Sequence, residues 1–163
     1  LPIVLYNVPG RSAVPIDVAT IERLSSIDAV VAVKEAGGSA DRVSQIKSCC
    51  DLTVLSGDDP LTLPMMVLGA GGVFSVASNL LPAEVTRCVH LALDGDFAAA
   101  KAEHYKLYEL FKTFFIETNP IPIKTAMAIT GLVQEEFRLP LSPISDANRD
   151  VLIAAMRRYG IDC

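Results

Sequence analysis

Lys34 closes a run of five small or β-branched apolar residues, Ala29-Val30-Val31-Ala32-Val33, and Glu35, Ala36 and a Gly37-Gly38 pair follow it. A near-continuous apolar run of this length reads as a strand buried on both faces, as in a parallel sheet. Side chains alternate across a strand, so Lys34 is expected to share a face with Ala32 and Val30. At the end of such an apolar shaft, desolvation disfavours the ammonium form, and a neutral amine is a nucleophile toward carbonyl compounds. A strand-capping lysine that reaches into water fits the same stretch. Tyr6 ends another apolar run. A phenol in an apolar pocket can donate and take up the protons that condensing an amine with a ketone requires. Arg11 follows a Pro9-Gly10 turn, and its guanidinium fork suits a carboxylate. Taken singly, Tyr6 also reads as a packing residue and Arg11 as a surface loop residue.

The elements that must position these groups follow a simple rhythm. Residues 1–8 form a strand that ends in Tyr6 and Asn7; Pro15 is expected to open a helix that buries Val18, Ile21 and Leu24. The Lys34 strand comes next, and Ser39 is the expected N-cap of a helix burying Val43 and Ile46. Leu52–Gly57 is a third strand, and Asp58, Asp59 and Pro60 open a helix that stops at Gly69. Gly72–Ala77 is a fourth strand, and Pro82 starts a helix running to Gly95. Strand, short polar or glycine loop, then helix, repeated four times, is the βα signature. Tyr6, Arg11, Lys34, Gly57 and Asp58 all fall at or just past strand C-termini, the face on which βα barrels build their sites.

From Asp96 onward no strand is expected. A long helix spans Ala98 to Phe115, a second runs from Asn119-Pro120 to near Gly131, and a last one runs from the cap Ser145 to Tyr159 before Gly160. Helical spacing assigns the aromatic residues of this tail to the core. The chain therefore divides into 1–95, four βα units, and 96–163, a helical region. Four units cannot close a barrel, and an open parallel sheet leaves unpaired edges and an uncovered apolar face. Together with a first residue that is not methionine, this reads as the second half of an eight-unit barrel, a fragment of a larger domain.

Half of the residues are hydrophobic and a fifth are charged, with a net charge of −5, which argues against nucleic acid as a partner and fits a metabolic enzyme. Four cysteines without a C-x-x-C pattern make no disulfide framework in a chain this long, and a reducing cytoplasm is the simplest assignment. No metal site is visible. The charge-free stretch between Asp59 and Glu84 scores like a membrane span, but Pro64, Gly69, Gly71, Gly72 and Pro82 cut it into a helix, a turn and a strand. Gly69-Ala70-Gly71-Gly72 leads into a strand and so lacks the setting of a dinucleotide fingerprint.

Six motifs occur in one order and spacing: Tyr6-Asn7-Val8-Pro9-Gly10-Arg11, Val33-Lys34-Glu35-Ala36, Leu55-Ser56-Gly57-Asp58-Asp59, Gly72-Val73-Phe74-Ser75-Val76, Asn119-Pro120-Ile121-Pro122-Ile123-Lys124 and Leu139-Pro140-Leu141-Ser142-Pro143. Together they closely resemble the C-terminal half of the dihydrodipicolinate synthase family, within the pyruvate-dependent Schiff-base aldolases that include N-acetylneuraminate lyase. The resemblance implies a (β/α)8 TIM barrel and condensation of pyruvate with aspartate semialdehyde toward diaminopimelate and lysine, without a cofactor, in a cytoplasmic homo-oligomer. It implies that Lys34 forms the Schiff base with pyruvate, that Tyr6 relays protons, that Arg11 binds the aldehyde substrate's carboxylate, and that Gly57 and Phe74 line the pyruvate pocket. The family usually carries a smaller aliphatic residue where Phe74 stands. Its threonine pair and a second, partner-supplied tyrosine belong to the first half of the barrel and have no counterpart in this sequence. Two rival readings remain: an aldolase for another 2-keto acid, in which Arg11 would not be expected, and a non-catalytic half-barrel.

Overall fold

Each apolar run at the front of the chain becomes a parallel strand, because a short polar loop and a returning helix separate it from the next. The computed structural model describes residues 1–163. Strands β1 (Ile3–Asn7), β2 (Val30–Glu35) and β3 (Thr53–Ser56) form a parallel sheet in the order β1-β2-β3. A short helix α1 (Pro9–Ser12) and α2 (Val18–Ser25) link β1 to β2, and α3 (Asp41–Lys47) links β2 to β3. Helix α4 (Thr62–Val67) follows a 3-10 turn at Asp59–Leu61; α5 (Pro82–Leu93) follows a second at Ala77–Asn79. The tail is three helices, α6 (Phe97–Thr113), α7 (Ile121–Ile129) and α8 (Asp146–Tyr159), with no strand.

Two apolar clusters hold these layers. Val33 and Val54 pack beneath the sheet against Ile21, Val43, Ile46 and Met65 of the crossover helices. Leu107, Leu110, Phe114, Leu152 and Met156 form the second cluster, where α6 and α8 meet α5 and α7. Helices α5 and α6 contribute to both, through Ala92 and Ala100 on the sheet side and Val85 and Leu107 on the other. No helix is long and apolar enough to cross a membrane. The charge-free stretch is instead α4, a glycine turn, a strand-like segment and a 3-10 turn.

Several expectations are corrected. Pro15 does not open a helix: Asp17 is extended and α2 starts at Val18, because the Ile16 N–H is drawn to Asn7 Oδ1 at 2.9 Å. Ser39 does not cap α3; Ala40 holds the N-cap position, and Asp41 supplies a negative charge in the first turn. The fourth strand shrinks to a single parallel bridge, Ser56 to Val73. Its chain continuation is pulled away into the 3-10 turn by Asp59 Oδ2, which accepts from the Val76 and Ala77 N–H groups at 2.9 and 3.1 Å. Ser145 does occupy the N-cap of α8, but its hydroxyl donates to Glu117, and Glu117 also accepts from the Ser145 N–H and from Asn148.

The aromatic residues of α6 and its C-cap divide between inside and outside. Phe111 and Phe114 are core, whereas Tyr105 and Tyr108 are exposed beside the buried His104 ring. The Lys34 strand is buried at Val30, Ala32, Val33 and Glu35, with Lys34 half-buried and Val31 exposed. On the edge strand β1, which pairs on one side only, Ile3, Val4 and Tyr6 are 40–48% exposed, and Val4 and Tyr6 leave the upper face of the sheet uncovered there. Pairing slips by one residue between Ile3 and Val4, which leaves Val31 unpaired. The slip breaks the alternation, so Val30 joins the helix-side cluster with Val33 and does not share a face with Lys34.

Candidate active site

Register is what brings the reactive side chains together. Parallel pairing sets Tyr6 opposite Lys34 and Lys34 opposite Leu55, so the phenol and the amine rise from adjacent strands on one face. Lys34 Nζ stands 4.0 Å from the centroid of the Tyr6 ring and 5.4 Å from that of Phe74. At those distances two aromatic faces can stabilise the cationic form by their quadrupoles, and also a cationic imine built on the same nitrogen. None of the ion pairs in the chain involves Lys34, so no carboxylate occupies the amine.

The cleft above this amine has a volume of about 400 Å³. Tyr6, Lys34, Gly57 and Phe74 lie in its wall, and Arg11 and Asn119 at its side. All five site residues expected from the sequence therefore meet in one cleft. Arg11 lies in the short helix α1 and is exposed, and its Nη2 donates to the Asn119 carbonyl at 3.3 Å, which ties α1 to the segment just before α7. Lys34 and Phe74 also border a second, more open depression that continues past Ser75 and Asn79 to Lys124.

Gly57 serves by having no side chain. A Cβ there would lie 2.7 Å from Ala36 Cβ and 3.0 Å from Lys34 Cε. Asp58 follows it at the cleft edge, where burial pushes its carboxyl above the usual range and the Lys112 charge opposes that rise. Beneath the bridge segment Asp59 is 2% exposed, and burial likewise raises its carboxyl against the hydrogen bonds from the Val76 and Ala77 N–H groups. By accepting from the backbone just after Phe74, Asp59 fixes where that ring stands.

Sequence reasoning missed the wall that the end of α6 and the residues just after it give the cleft, Phe111, Lys112 and Phe115. No local pattern carries it, since helical spacing places these residues equally well in a core. It also missed the buried pair Asn7 and Glu35 on the opposite face of the same strands. A signal for that pair was present: a polar residue directly follows each reactive one, and strand parity sends it to the other side. No group of three or more histidine, cysteine, aspartate or glutamate side chains is arranged to hold a metal ion.

A parallel βα sheet with a lysine amine against a tyrosine ring at the C-terminal ends of its strands is a scaffold suited to amine–carbonyl chemistry. The chain belongs to the dihydrodipicolinate synthetase family, whose profile matches residues 1–158. It is 47% identical over 163 residues to the 4-hydroxy-tetrahydrodipicolinate synthase of Pelobacter propionicus, covering 99% of this chain and 56% of that protein. The crystal structure of dihydrodipicolinate synthase from Aquifex aeolicus superposes with a TM-score of 0.97 at 48% identity, over 99% of this chain and 56% of that one. The chloride-inhibited dihydrodipicolinate synthase of Acinetobacter baumannii complexed with pyruvate superposes with a TM-score of 0.96 at 36% identity, over 99% and 56%. The chain thus spans about half the length of the relatives it matches.

Proposed function

We propose that this chain carries the Schiff-base half of an enzyme that condenses pyruvate with L-aspartate 4-semialdehyde to give 4-hydroxy-tetrahydrodipicolinate, on the route to diaminopimelate and lysine. The observation that carries the reading is Lys34 Nζ standing 4.0 Å over the Tyr6 ring in a cleft flanked by Arg11. In this scheme the Lys34 amine attacks the ketone carbon of pyruvate and water leaves, forming a C=N bond. The Tyr6 phenol hands protons to and from the departing oxygen. The iminium is an electron sink, so the pyruvate methyl group loses a proton, and the resulting enamine carbon bonds to the aldehyde carbon, whose oxygen takes up a proton. The amino group of the aldehyde substrate then attacks the imine carbon and displaces the Lys34 amine, which closes the ring and frees the lysine. Arg11 holds the carboxylate of the aldehyde substrate, while Gly57 and Phe74 shape the pyruvate pocket. The pyruvate complex of the Acinetobacter relative supports the first substrate.

We further infer that these are the last four units of a (β/α)8 barrel: after α5 the chain holds only helices, whereas a first half would run on into another strand. Residues 1–95 are then the half-barrel and 96–163 the helical region, joined through the α5–α6 packing. The uncovered upper face of the sheet is where the other half, with its threonine pair and second tyrosine, would close, and the complete enzyme is a cytoplasmic homo-oligomer. The half-site alone forms the imine but does not turn over.

The test is intact mass after incubation with pyruvate and borohydride. Reduction of the imine leaves a secondary amine, so the chain should gain the mass of pyruvic acid less one oxygen, and the Lys34→Ala variant should gain nothing. A folded sample without the adduct refutes the reading and leaves a non-catalytic half-barrel. Robust turnover by the chain alone would refute the half-site assignment.

A further inference from the structure

The face of β1 and β2 turned away from the cleft carries a closed polar circuit in an otherwise apolar layer. Asn7 and Glu35 are paired across the strands, one residue beyond Tyr6 and Lys34, and are 2% and 1% exposed. The Asn7 amide donates to both Glu35 oxygens, at 2.7 and 2.9 Å. Glu35 Oε1 also accepts the Gly37 N–H at 2.6 Å, and Oε2 faces Arg42 Nε at 3.4 Å. Arg42 Nη2 donates to the Ile16 carbonyl at 2.7 Å, and the Ile16 N–H returns to Asn7 Oδ1 at 2.9 Å. The circuit joins both reactive strands to the loop before α2 and to α3. A Cβ on Gly37 would lie 2.6 Å from Glu35 Oε1 and 3.1 Å from the Asn7 amide, so the loop closes tightly over the carboxylate.

A buried carboxylate is costly, and apolar residues of similar volume often serve stability as well or better. What a fully satisfied polar pair does that valine or leucine cannot is reject every other alignment. Side chains repeat every second residue, so a one-residue slip of β1 on β2 would send Tyr6 to the helix side and bury it away from Lys34. Such a slip would also leave Glu35 without its amide donor. The neighbouring pairing already slips at Val31, so register in this ribbon needs a fixed point.

We infer that Asn7 and Glu35 are positioning residues for the condensation, locking the one strand register in which Tyr6 and Lys34 face each other across the cleft. The inference rests on the imine-forming role proposed for Lys34. Glu35→Gln is the sharp perturbation: glutamine keeps one acceptor oxygen but turns an amide NH2 toward the Asn7 amide or the Arg42 guanidinium, both donors. Asn7→Asp combined with Glu35→Gln restores the match, because aspartate accepts from the new amide while its second oxygen still takes the Ile16 N–H. Val43→Ala, under the same sheet but outside the circuit, is the stability control.

The experiment measures the rate of borohydride-trapped pyruvate adduct against pyruvate concentration in the 163-residue chain, with the Tyr6 ring to Lys34 side-chain contact followed by NMR. Glu35→Gln should lower the saturating rate by roughly tenfold to a hundredfold while leaving the half-saturating pyruvate concentration in place, since misplacement costs rate and no pyruvate contact is removed. The double variant should recover most of that rate. Val43→Ala should lose melting temperature and keep the rate. A Glu35→Gln chain that keeps both the rate and the Tyr6–Lys34 contact, or that loses no more rate than Val43→Ala, overturns the inference. If the unsubstituted chain forms no adduct, the condensation reading fails by itself. The NMR contact then decides the positioning: its loss in Glu35→Gln and return in the double variant support it, and its persistence in Glu35→Gln overturns it.

Discussion

Gly57→Ala adds a single methyl group at the point where β2 and β3 deliver their ends to the cleft. The new Cβ would stand 2.7 Å from Ala36 Cβ, 3.0 Å from Lys34 Cε and 3.3 Å from the Glu35 carbonyl oxygen. Carbon atoms rest about 3.5–4.0 Å apart, so the first contact is short by roughly an ångström. Lys34 Cε belongs to a flexible side chain and can yield, but Ala36 Cβ is fixed to the backbone. The Gly57 N–H donates to the Glu35 carbonyl at 2.7 Å and already draws the two strands together there. Relief therefore requires the ends of β2 and β3 to part. Overpacking of this kind costs about 1–3 kcal/mol, and an ångström of displacement at a reacting amine is enough for a rate loss on the order of a hundredfold. Urea unfolding reads the first effect, and the rate of trapped pyruvate adduct reads the second. Native stability together with a native trapping rate in Gly57→Ala would refute the claim that this glycine exists to give Lys34 its place.

Other expectations address the scaffold and its pH dependence. Leu107 is fully buried where the tail helices meet, so Leu107→Ala should cost about 2–5 kcal/mol in chemical denaturation. Arg149 grips Glu135 through two parallel bonds of 2.8 and 2.7 Å, and Arg149→Lys, which can keep one of them, should lose about 0.5–1 kcal/mol in the same assay. Burial holds the His104 imidazole below its ordinary pKa of 6.5. Its contribution to stability is therefore present above that value and lost as the pH falls through the lower folded value. The melting temperature should drop on acidification from about pH 8 to about pH 5, and the drop should be smaller in His104→Leu.

The order of elements was legible because hydrophobic runs and glycine or proline breaks are local, and all three paired strands and most helices lie where those signals put them. The meeting of Tyr6 and Lys34 was legible for a related reason: each stands near the end of an apolar run, and parallel pairing of the two strands sets them side by side on one face. What failed was decided by partners distant in sequence. Pro15 looks like a helix start until the Asn7 side chain claims the Ile16 N–H. Val73–Ala77 has the composition of a strand, but Asp59, placed by a preceding loop, draws two of its N–H groups into a turn. Tyr105 and Tyr108 share helical spacing with core residues, and only the arrangement of α5 and α8 around α6 leaves them outside. The capping of α8 by Glu117, 28 residues before Ser145, has no local trace either.

A constraint on any amine-catalysing sheet follows from the two faces of β1 and β2. The face that reacts must stay open enough to admit a substrate, so it cannot be the face that supplies cohesion. Tyr6 is 45% exposed on it, whereas Val33, Val54, Asn7 and Glu35 on the other are at most 2% exposed. Cohesion from apolar contacts alone would resist separation of the strands but tolerate sliding, because valine meets valine at many offsets. Chemistry does not tolerate sliding, since one step exchanges the faces. A directional pair directly behind the reactive residues supplies what the apolar layer lacks, and the residue after each reactive one is the nearest position that faces the other way. On this reasoning the polar residues following Tyr6 and Lys34 belong to the site's design as much as the two that touch the cleft.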